Sequence, residues 1–505
     1  MSSSTVTEAR RLGHFIDGEQ HAASGAVFER HSPATGELVA AVAAGTAADV
    51  DAAVAAARAA FDHGPWPRTT APERAKVLRR FAALIEQHGE ELAALDSEEV
   101  GKPLRLARGD IAGAVANTEY AASLAHTLHG ESWTDYDADV VAYTLHAPAG
   151  VAALVIPWNF PALIVAQKLP FALAAGCAAV VKPSEFTSSS ALRLAELATE
   201  AGVPAGAVNV VTGVGADVGA PLSAHPDVDV VSFTGSTVTG RAVAEAAGRN
   251  LKRVSLELGG KGANVVFADA DLDEVADAVV FAAFFNQGEC CVAGTRLIVE
   301  RSAQDALLER VLERGRRVVV GDPREDATDV GPLIHAGHLD KVEGYMQEAK
   351  RAGAEALLGG GRASVAGCER GHFVEPTIFG GVDPASALFQ EEVFGPVLAV
   401  TPFDDAEEAA ALANGTAYGL ANSLWTSDVA TAHRVAKQIR SGTVWVNTTI
   451  DGTSAIAFGG TKASGFGREV GREGLLEFTE LKSVQVRTAR RGLALTQDAP
   501  APSAA

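Results

Sequence analysis

The sequence predicts an α/β fold built on a doubly wound parallel sheet. Short apolar runs alternate with helical patterns from about Val151 onward, and a second series of the same kind follows Cys291. Strands of four to six buried residues between helices need helices on both sheet faces. In addition, the polar and glycine-rich motifs sit just after apolar runs, at the carboxyl ends of strands, where such sheets bind ligands.

Taken in order, Thr46-Ala47-Ala48-Asp49 reads as a capping box opening an alanine-rich helix to Phe61. Val151–Ile156 is an apolar strand, and Pro161 opens a helix to Ala175. Ala178–Lys182 is a buried strand, followed by a helix from Ser188 to Ala201 that stops at Gly202. Ala207–Val211, Val228–Phe233 and Arg253–Leu258 continue the strands, with helices at Ala216–Ala224 and Ser236–Gly248 between them. Asp271 to Phe285 reads as a helix running into a cysteine turn. Strands near Thr295–Glu300, Val397–Val400 and Thr443–Val446 form the second half. Ser132–His146 breaks the alternation, and Phe478–Val486 is a late alternating strand. Both read as arms that need a partner, because an unpaired edge is a liability.

The 505 residues call for two or three domains, and the 47% apolar share supplies a large interior. A net charge of −21 without a polybasic run argues against nucleic acid or an anionic membrane as partner. Cys177, Cys290, Cys291 and Cys368 lack disulfide-framework spacing, the usage of a reducing cytosol, so a cytoplasmic protein is expected. Met1 to Arg11 has no apolar core of a signal peptide. The apolar segments Ala147–Trp158 and Leu169–Val181 are too short to span a bilayer, and Lys168 and Lys182 flank the second. Residues 491–505, rich in Ala, Pro and Ser, read as a disordered tail.

Cys291, in Phe285-Asn286-Gln287-Gly288-Glu289-Cys290-Cys291, stands 34 positions after Glu257 of Leu256-Glu257-Leu258-Gly259-Gly260-Lys261. A thiol in a glycine-bounded turn and a carboxylate at a glycine-bounded strand end are the two parts of covalent carbonyl chemistry. Either alone is weak, since most cysteines are small buried hydrophobes. Gly213-Val214-Gly215 with Gly219 misses the dinucleotide fingerprint by one residue, and Gly465-Phe466-Gly467 with Gly471 reads as a turn. Phe233-Thr234-Gly235-Ser236-Thr237 precedes a helix start whose N–H groups suit a pyrophosphate. Lys182 and Glu185 fit a solvated loop pair as well as a ribose site, and Asn159 fits a helix N-cap as well as a catalytic donor. The 13 histidines show no metal-ligand spacing, so no metal is expected, and no Walker A sequence occurs.

Together, Pro157-Trp158-Asn159-Phe160-Pro161, Lys182-Pro183-Ser184-Glu185, the Phe233–Thr237 and Leu256–Lys261 motifs, the Cys291 turn and Glu391-Glu392-Val393-Phe394-Gly395-Pro396 resemble the aldehyde dehydrogenase superfamily. The resemblance runs from about Phe15 to Val486. It implies a Rossmann-type cofactor domain (residues 1–131 and 149–258), an α/β catalytic domain (259–460) and a small β oligomerisation arm with a C-terminal strand (132–148 and 461–490). By matching position it implies Cys291 as nucleophile, Cys290 as its non-catalytic neighbour, Glu257 as general base and Asn159 as oxyanion donor. Lys182, grouped with these catalytic positions, and Glu185 match adenosine-ribose contacts. Gly215 and Gly219 match the adenosine end, Gly235 and Ser236 the pyrophosphate site, and Glu392 and Phe394 the nicotinamide riboside. Ile156, Pro157, Trp158, Ser184, Phe233 and Leu258 complete the cofactor-binding set, which also includes Asn159. The cofactor so implied is NAD, with NADP as an alternative. Gly262 departs from the family's usual Ser, Asn or Ala.

The reaction implied is oxidation of an aldehyde to its acid through a Cys291 thiohemiacetal and a thioester that Glu257-activated water hydrolyses. The alternatives are a CoA-acylating relative, which usually lacks the glutamate matching Glu257, and a catalytically silent structural protein, which would need none of Asn159, Glu257 and Cys291. The implied substrate pocket comprises Phe160, Gln167, Cys290, Val292 and Phe458 in the Asp451–Phe458 loop. Its small side chains and lack of arginine suit a neutral aldehyde, while Asp451 would also suit an amino-aldehyde. A homodimer or homotetramer is implied, with the late strand completing a sheet across a subunit boundary.

Overall fold

The structure, a computed structural model, describes residues 9–23 and 25–489. Most of the expected N-terminal segment (1–8) and the expected tail lie outside the described residues. Two large sheets organise the chain. The first has eight strands, in the order Gly465–Phe466, Arg253–Glu257, Val230–Thr234, Val151–Val155, Ala178–Lys182, Val208–Val210, His14–Ile16 and Glu19–His21. Its five central strands are parallel, so Ile156, Lys182, Thr234 and Glu257 come out on one edge. That edge is where the sequence motifs fall.

The Pro161–Ala175 helix and the Ala178–Lys182 strand have the expected bounds. Gly176, at φ 99°, ends the helix in the left-handed conformation that a side chain resists. The helix is apolar on nearly every face because those of Ala71–Gln87 and Leu104–Leu124 pack around it. These helices, with Gly89–Val100, fill the stretch between Phe61 and Ser132, where the sequence reading assigned no elements. The expected Thr46 capping box forms, with the Thr46 N–H donating to Asp49 at 2.8 Å. Ser236 caps the Thr237–Gly248 helix and Asp271 the Leu272–Phe284 helix.

The second sheet has seven strands, in the order Glu355–Leu358, Thr377–Gly380, Val397–Phe403, Arg296–Glu300, Ala263–Val266, Ala421–Trp425 and Thr443–Val446. All pairings are parallel except that of Glu355–Leu358. The chain crosses between the sheets over Leu258–Gly262, directly after Glu257.

Three expectations change. The late strand, Thr479–Arg487, finds its neighbour in its own chain: all nine residues pair antiparallel with Val140–Pro148, which in turn pairs with Ser132–Asp137. Each arm is the other's partner along one edge, and the outer edge of Thr479–Arg487 stays open. Gly465-Phe466-Gly467 is more than a turn. Gly465 and Phe466 pair with Glu257 and Leu256, so residues 461–490 divide between the eight-stranded and the three-stranded sheet. The expected Ala216–Ala224 helix is a widened turn at Gly215–Gly219 followed by a short helix at Ala220–Ala224.

Candidate active site

Glu257 is the last residue of its strand and is buried, its Oε1 accepting the Gly460 N–H at 3.0 Å. Desolvation raises its pKa well above the usual carboxylate range, and the charge of Glu469 raises it further. Lys168 opposes the shift. Its ammonium, buried inside the apolar Pro161–Ala175 helix, pairs with Glu469 and donates to Ser232 Oγ at 2.8 Å. Thr234 Oγ1 also donates to Glu469, at 3.2 Å. A buried amine–acid pair therefore stands close enough to Glu257 for both charges to act on it.

Cys291 is partly exposed, in a turn whose approach is conformationally costly. Asn286 (φ 50°) and Gln287 (φ 58°) are left-handed, and Gly288 (φ 72°) follows them. Two such non-glycine residues in sequence cost on the order of 1 kcal/mol or more each and persist only where surroundings impose them. The surroundings are specific. Asn159 Nδ2 donates to the Glu289 carbonyl at 3.0 Å, and Asn286 Nδ2 donates to the same oxygen at 3.1 Å. A carboxamide has two N–H bonds, so Asn159 keeps one for another acceptor. Gly260 must be glycine, because a Cβ there would overlap the Cys291 carbonyl. The adjoining Cys290 thiol, burial and the charges of Glu257 and Glu392 raise the pKa of the Cys291 thiol well above the usual value. A thiol so held must give up its proton before it attacks.

Beside this cluster, Glu392 Oε1 accepts the Gly260 N–H at 2.8 Å, and desolvation pushes its pKa up to about 7. Phe394, at φ 61°, presents its ring edge-on to Trp158 with centroids 5.4 Å apart. Lys182 Nζ lies 3.3 Å from Glu185 Oε2, and the ammonium contacts described for Lys182 involve neither Cys291 nor Glu257. A Cβ on Gly215 would meet nothing within 4 Å, and one on Gly219 only the Lys182 side chain at 3.9 Å. Ser236 is exposed at the N-terminus of the Thr237–Gly248 helix, whose first turn carries no acidic residue. An open, glycine-floored edge with a carboxylate for hydroxyls, a helix N-terminus for phosphate and an aromatic end fits a dinucleotide.

The remaining predicted positions divide. Ile156, Pro157, Ser184 and Phe233 lie at or just beyond the ends of the central strands, with Ile156 N–H donating to the Lys182 carbonyl at 2.9 Å. Leu258 donates its N–H to the Ser464 carbonyl and packs on the Gly240 turn. Phe160 stacks on Phe285 with centroids 6.0 Å apart, and Cys290, Val292 and Phe458 join the same apolar cluster. Gln167 borders a small cavity with Lys168 and Glu469. Sequence reasoning did not single out Lys168, Glu469, Glu289 or His338. A lone lysine in an otherwise apolar helix was the available signal for the first; the others lie far apart in sequence and only the fold unites them.

Comparison with known proteins agrees with this geometry. The model of the aldehyde dehydrogenase family matches residues 20–484. The aminoacetaldehyde dehydrogenase of Pseudomonas aeruginosa is 46% identical over 480 residues, covering 94% of this chain and 95% of its own. The NADP/NAD-dependent aldehyde dehydrogenase PuuC of Escherichia coli is 43% identical, covering 94% and 95%. The crystal structure of an NAD-dependent aldehyde dehydrogenase from Sinorhizobium meliloti superposes with a TM-score of 0.94 at 45% identity, covering 96% of each chain. The chain belongs to the aldehyde dehydrogenase family.

Proposed function

We propose that this enzyme oxidises an aldehyde to the carboxylic acid with NAD, Cys291 acting as nucleophile, Glu257 as general base and Asn159 as oxyanion donor. The observation that supports it most directly is the meeting of a partly exposed thiol, a buried carboxylate of raised pKa and a half-engaged carboxamide around one turn. The Cys291 thiol gives its proton to solvent, and the thiolate adds to the aldehyde carbon. The free Asn159 N–H and the Cys291 backbone N–H stabilise the resulting oxyanion, a donor of this kind being worth about 3 kcal/mol. NAD, when bound, supplies the acceptor for the two electrons that convert the thiohemiacetal to a thioester. Glu257 then takes a proton from water as it attacks the thioester and passes it to the departing Cys291 sulfur, releasing the acid and the Cys291 thiol.

Ser236 and Gly235 would hold the pyrophosphate, Lys182 and Glu185 the adenosine ribose, and Glu392 and Phe394 the nicotinamide riboside. The division into a cofactor-binding part on the eight-stranded sheet and a catalytic part on the seven-stranded sheet follows from these assignments. A carboxylate beside the ribose hydroxyls disfavours an added 2′-phosphate. Wild-type kcat/KM is therefore expected to favour NAD over NADP, with Glu185→Ser narrowing the gap. Steady-state kinetics with both coenzymes check this, and a wild-type preference for NADP would refute the Glu185 assignment.

The substrate is proposed to be a neutral aldehyde, on the apolar surroundings of Phe160, Phe285 and Phe458. NADH formation across an aldehyde panel, with and without CoA, tests both the substrate and the hydrolytic outcome. Among the described residues no helix is long and apolar enough to cross a membrane. The four cysteines are free, consistent with the proposed cytoplasmic setting.

Self-association is proposed on the three-stranded sheet, which leaves Leu481 61% and Tyr136 59% exposed. A small sheet with bare apolar side chains and open edges is stabilised by a second copy. Sedimentation of the full chain at micromolar concentration is expected to show a dimer or tetramer, and removal of residues from Leu476 onward to give aggregated protein. A monomeric full-length enzyme would contradict it.

A further inference from the structure

Glu289 immediately precedes the cysteine pair, and its side chain is entirely buried behind the turn. Oε1 accepts the Ile334 N–H at 3.0 Å, and Oε2 accepts from Gln287 Nε2 at 3.4 Å, so the carboxylate ties down one of the left-handed residues directly. His338 Nε2 lies 3.6 Å from Glu289 Oε1 and 2.7 Å from the Phe394 carbonyl. A carbonyl only accepts, so Nε2 carries the hydrogen and the imidazole binds Phe394 as a donor. The His338 ring also packs edge-on to Trp158, with centroids 5.7 Å apart. On the other side, a Cβ on Gly288 would overlap the Gly395 backbone, so the cysteine turn and the Phe394 loop touch main chain to main chain.

Two strained segments that meet main chain to main chain are thus each held by a buried group, Asn286-Gln287 by Glu289 and Phe394 by His338, and these two groups lie 3.6 Å apart. We propose that Glu289, acting with His338, is a positioning residue that couples the cysteine turn to the nicotinamide-riboside loop, so that occupancy of the coenzyme site sets the reactivity of Cys291. The inference rests on the assignment of Cys291 as nucleophile and of Phe394 to the coenzyme site. Glu289 touches no reacting atom. Its carboxylate works as a hydrogen-bond acceptor, which an amide oxygen can replace and an alkyl group cannot.

The test uses the full-length enzyme with Glu289→Gln, Glu289→Leu, His338→Phe and Cys291→Ala. Three quantities are read: kcat and KM for NAD, carbamidomethylation of Cys291 by iodoacetamide with and without saturating NAD, and the melting curve. In the wild type NAD is expected to change the alkylation rate. Glu289→Gln should keep that response and most of kcat. Glu289→Leu should lose the response and lower kcat by about 100-fold, the scale of a misplacement of roughly 1 Å, while moving KM less. His338→Phe should also lose the response, and it decides the matter if Glu289→Leu does not fold. A wild-type alkylation rate indifferent to NAD, a folded Glu289→Leu or His338→Phe enzyme with the wild-type response, or Glu289→Gln as impaired as Glu289→Leu would each overturn the coupling. An active Cys291→Ala enzyme would instead sink the nucleophile assignment.

Discussion

Cys291→Ala is expected to lose turnover by at least about 10⁴-fold, whereas Cys290→Ala keeps most of it, because removing a covalent nucleophile removes the pathway and not one interaction within it. The two thiols are adjacent in sequence, yet their settings differ: Cys290 is buried in the apolar cluster with Val292, and Cys291 is partly exposed. Cys291 has its carbonyl fixed against Gly260 and feels the charges of both Glu257 and Glu392. The Cys290 change removes a contact that holds the Cys291 thiol protonated, so its pH profile should move toward lower pH while kcat changes little. Steady-state rates of the two purified variants check the prediction. A reversed pair of results would mean that the motif is read one residue out of register.

Glu257→Gln is expected to lower turnover by about 10²- to 10⁴-fold, the usual range for a lost general base, with acyl release slowed more than acyl formation. The pH dependence should change with it. The folded-state pKa of Glu257 is raised, so the carboxyl stays protonated, and useless as a base, to higher pH than an ordinary glutamate. Wild-type kcat should therefore fall as pH drops through the raised value and recover above it. Glu257→Gln should lack that limb. Rapid-mixing measurements of NADH formation across pH separate the two steps. Unchanged steady-state turnover in this variant would remove Glu257 from the mechanism.

Both effects concern residues that were legible before any coordinates. Glycine brackets around Glu257 and the cysteine turn announced close backbone approach, and the structure places Gly260 directly against Cys291. The parallel strands were legible for a similar reason: runs such as Ala178–Lys182 are uniformly apolar because both faces are covered. The late strand was harder. Its alternation shows a one-sided sheet, but nothing local to Thr479–Arg487 reveals that Val140–Pro148, more than 300 residues away, is its neighbour. Gly465-Phe466 is too short for any periodicity, and its pairing with the Glu257 strand is a tertiary fact. The same holds for the set behind the base. Lys168 and Glu469 look like unrelated charges in sequence, and become a buried pair only when their helix and loop meet behind the eight-stranded sheet. Spacing exposes what one turn or strand end does, while partners drawn from separate elements need the fold.

The central claim, a covalent acyl intermediate on Cys291 released by Glu257, is tested most directly by trapping that intermediate. Glu257→Gln enzyme is mixed with NAD and an aldehyde from the panel, quenched in acid after the first turnover, digested and analysed by mass spectrometry. The account predicts one acyl group in thioester linkage on Cys291, formed with one equivalent of NADH and absent from the Cys291→Ala,Glu257→Gln double variant. An acyl group on Cys290, or NADH formed through many turnovers with no adduct on either cysteine, would contradict it.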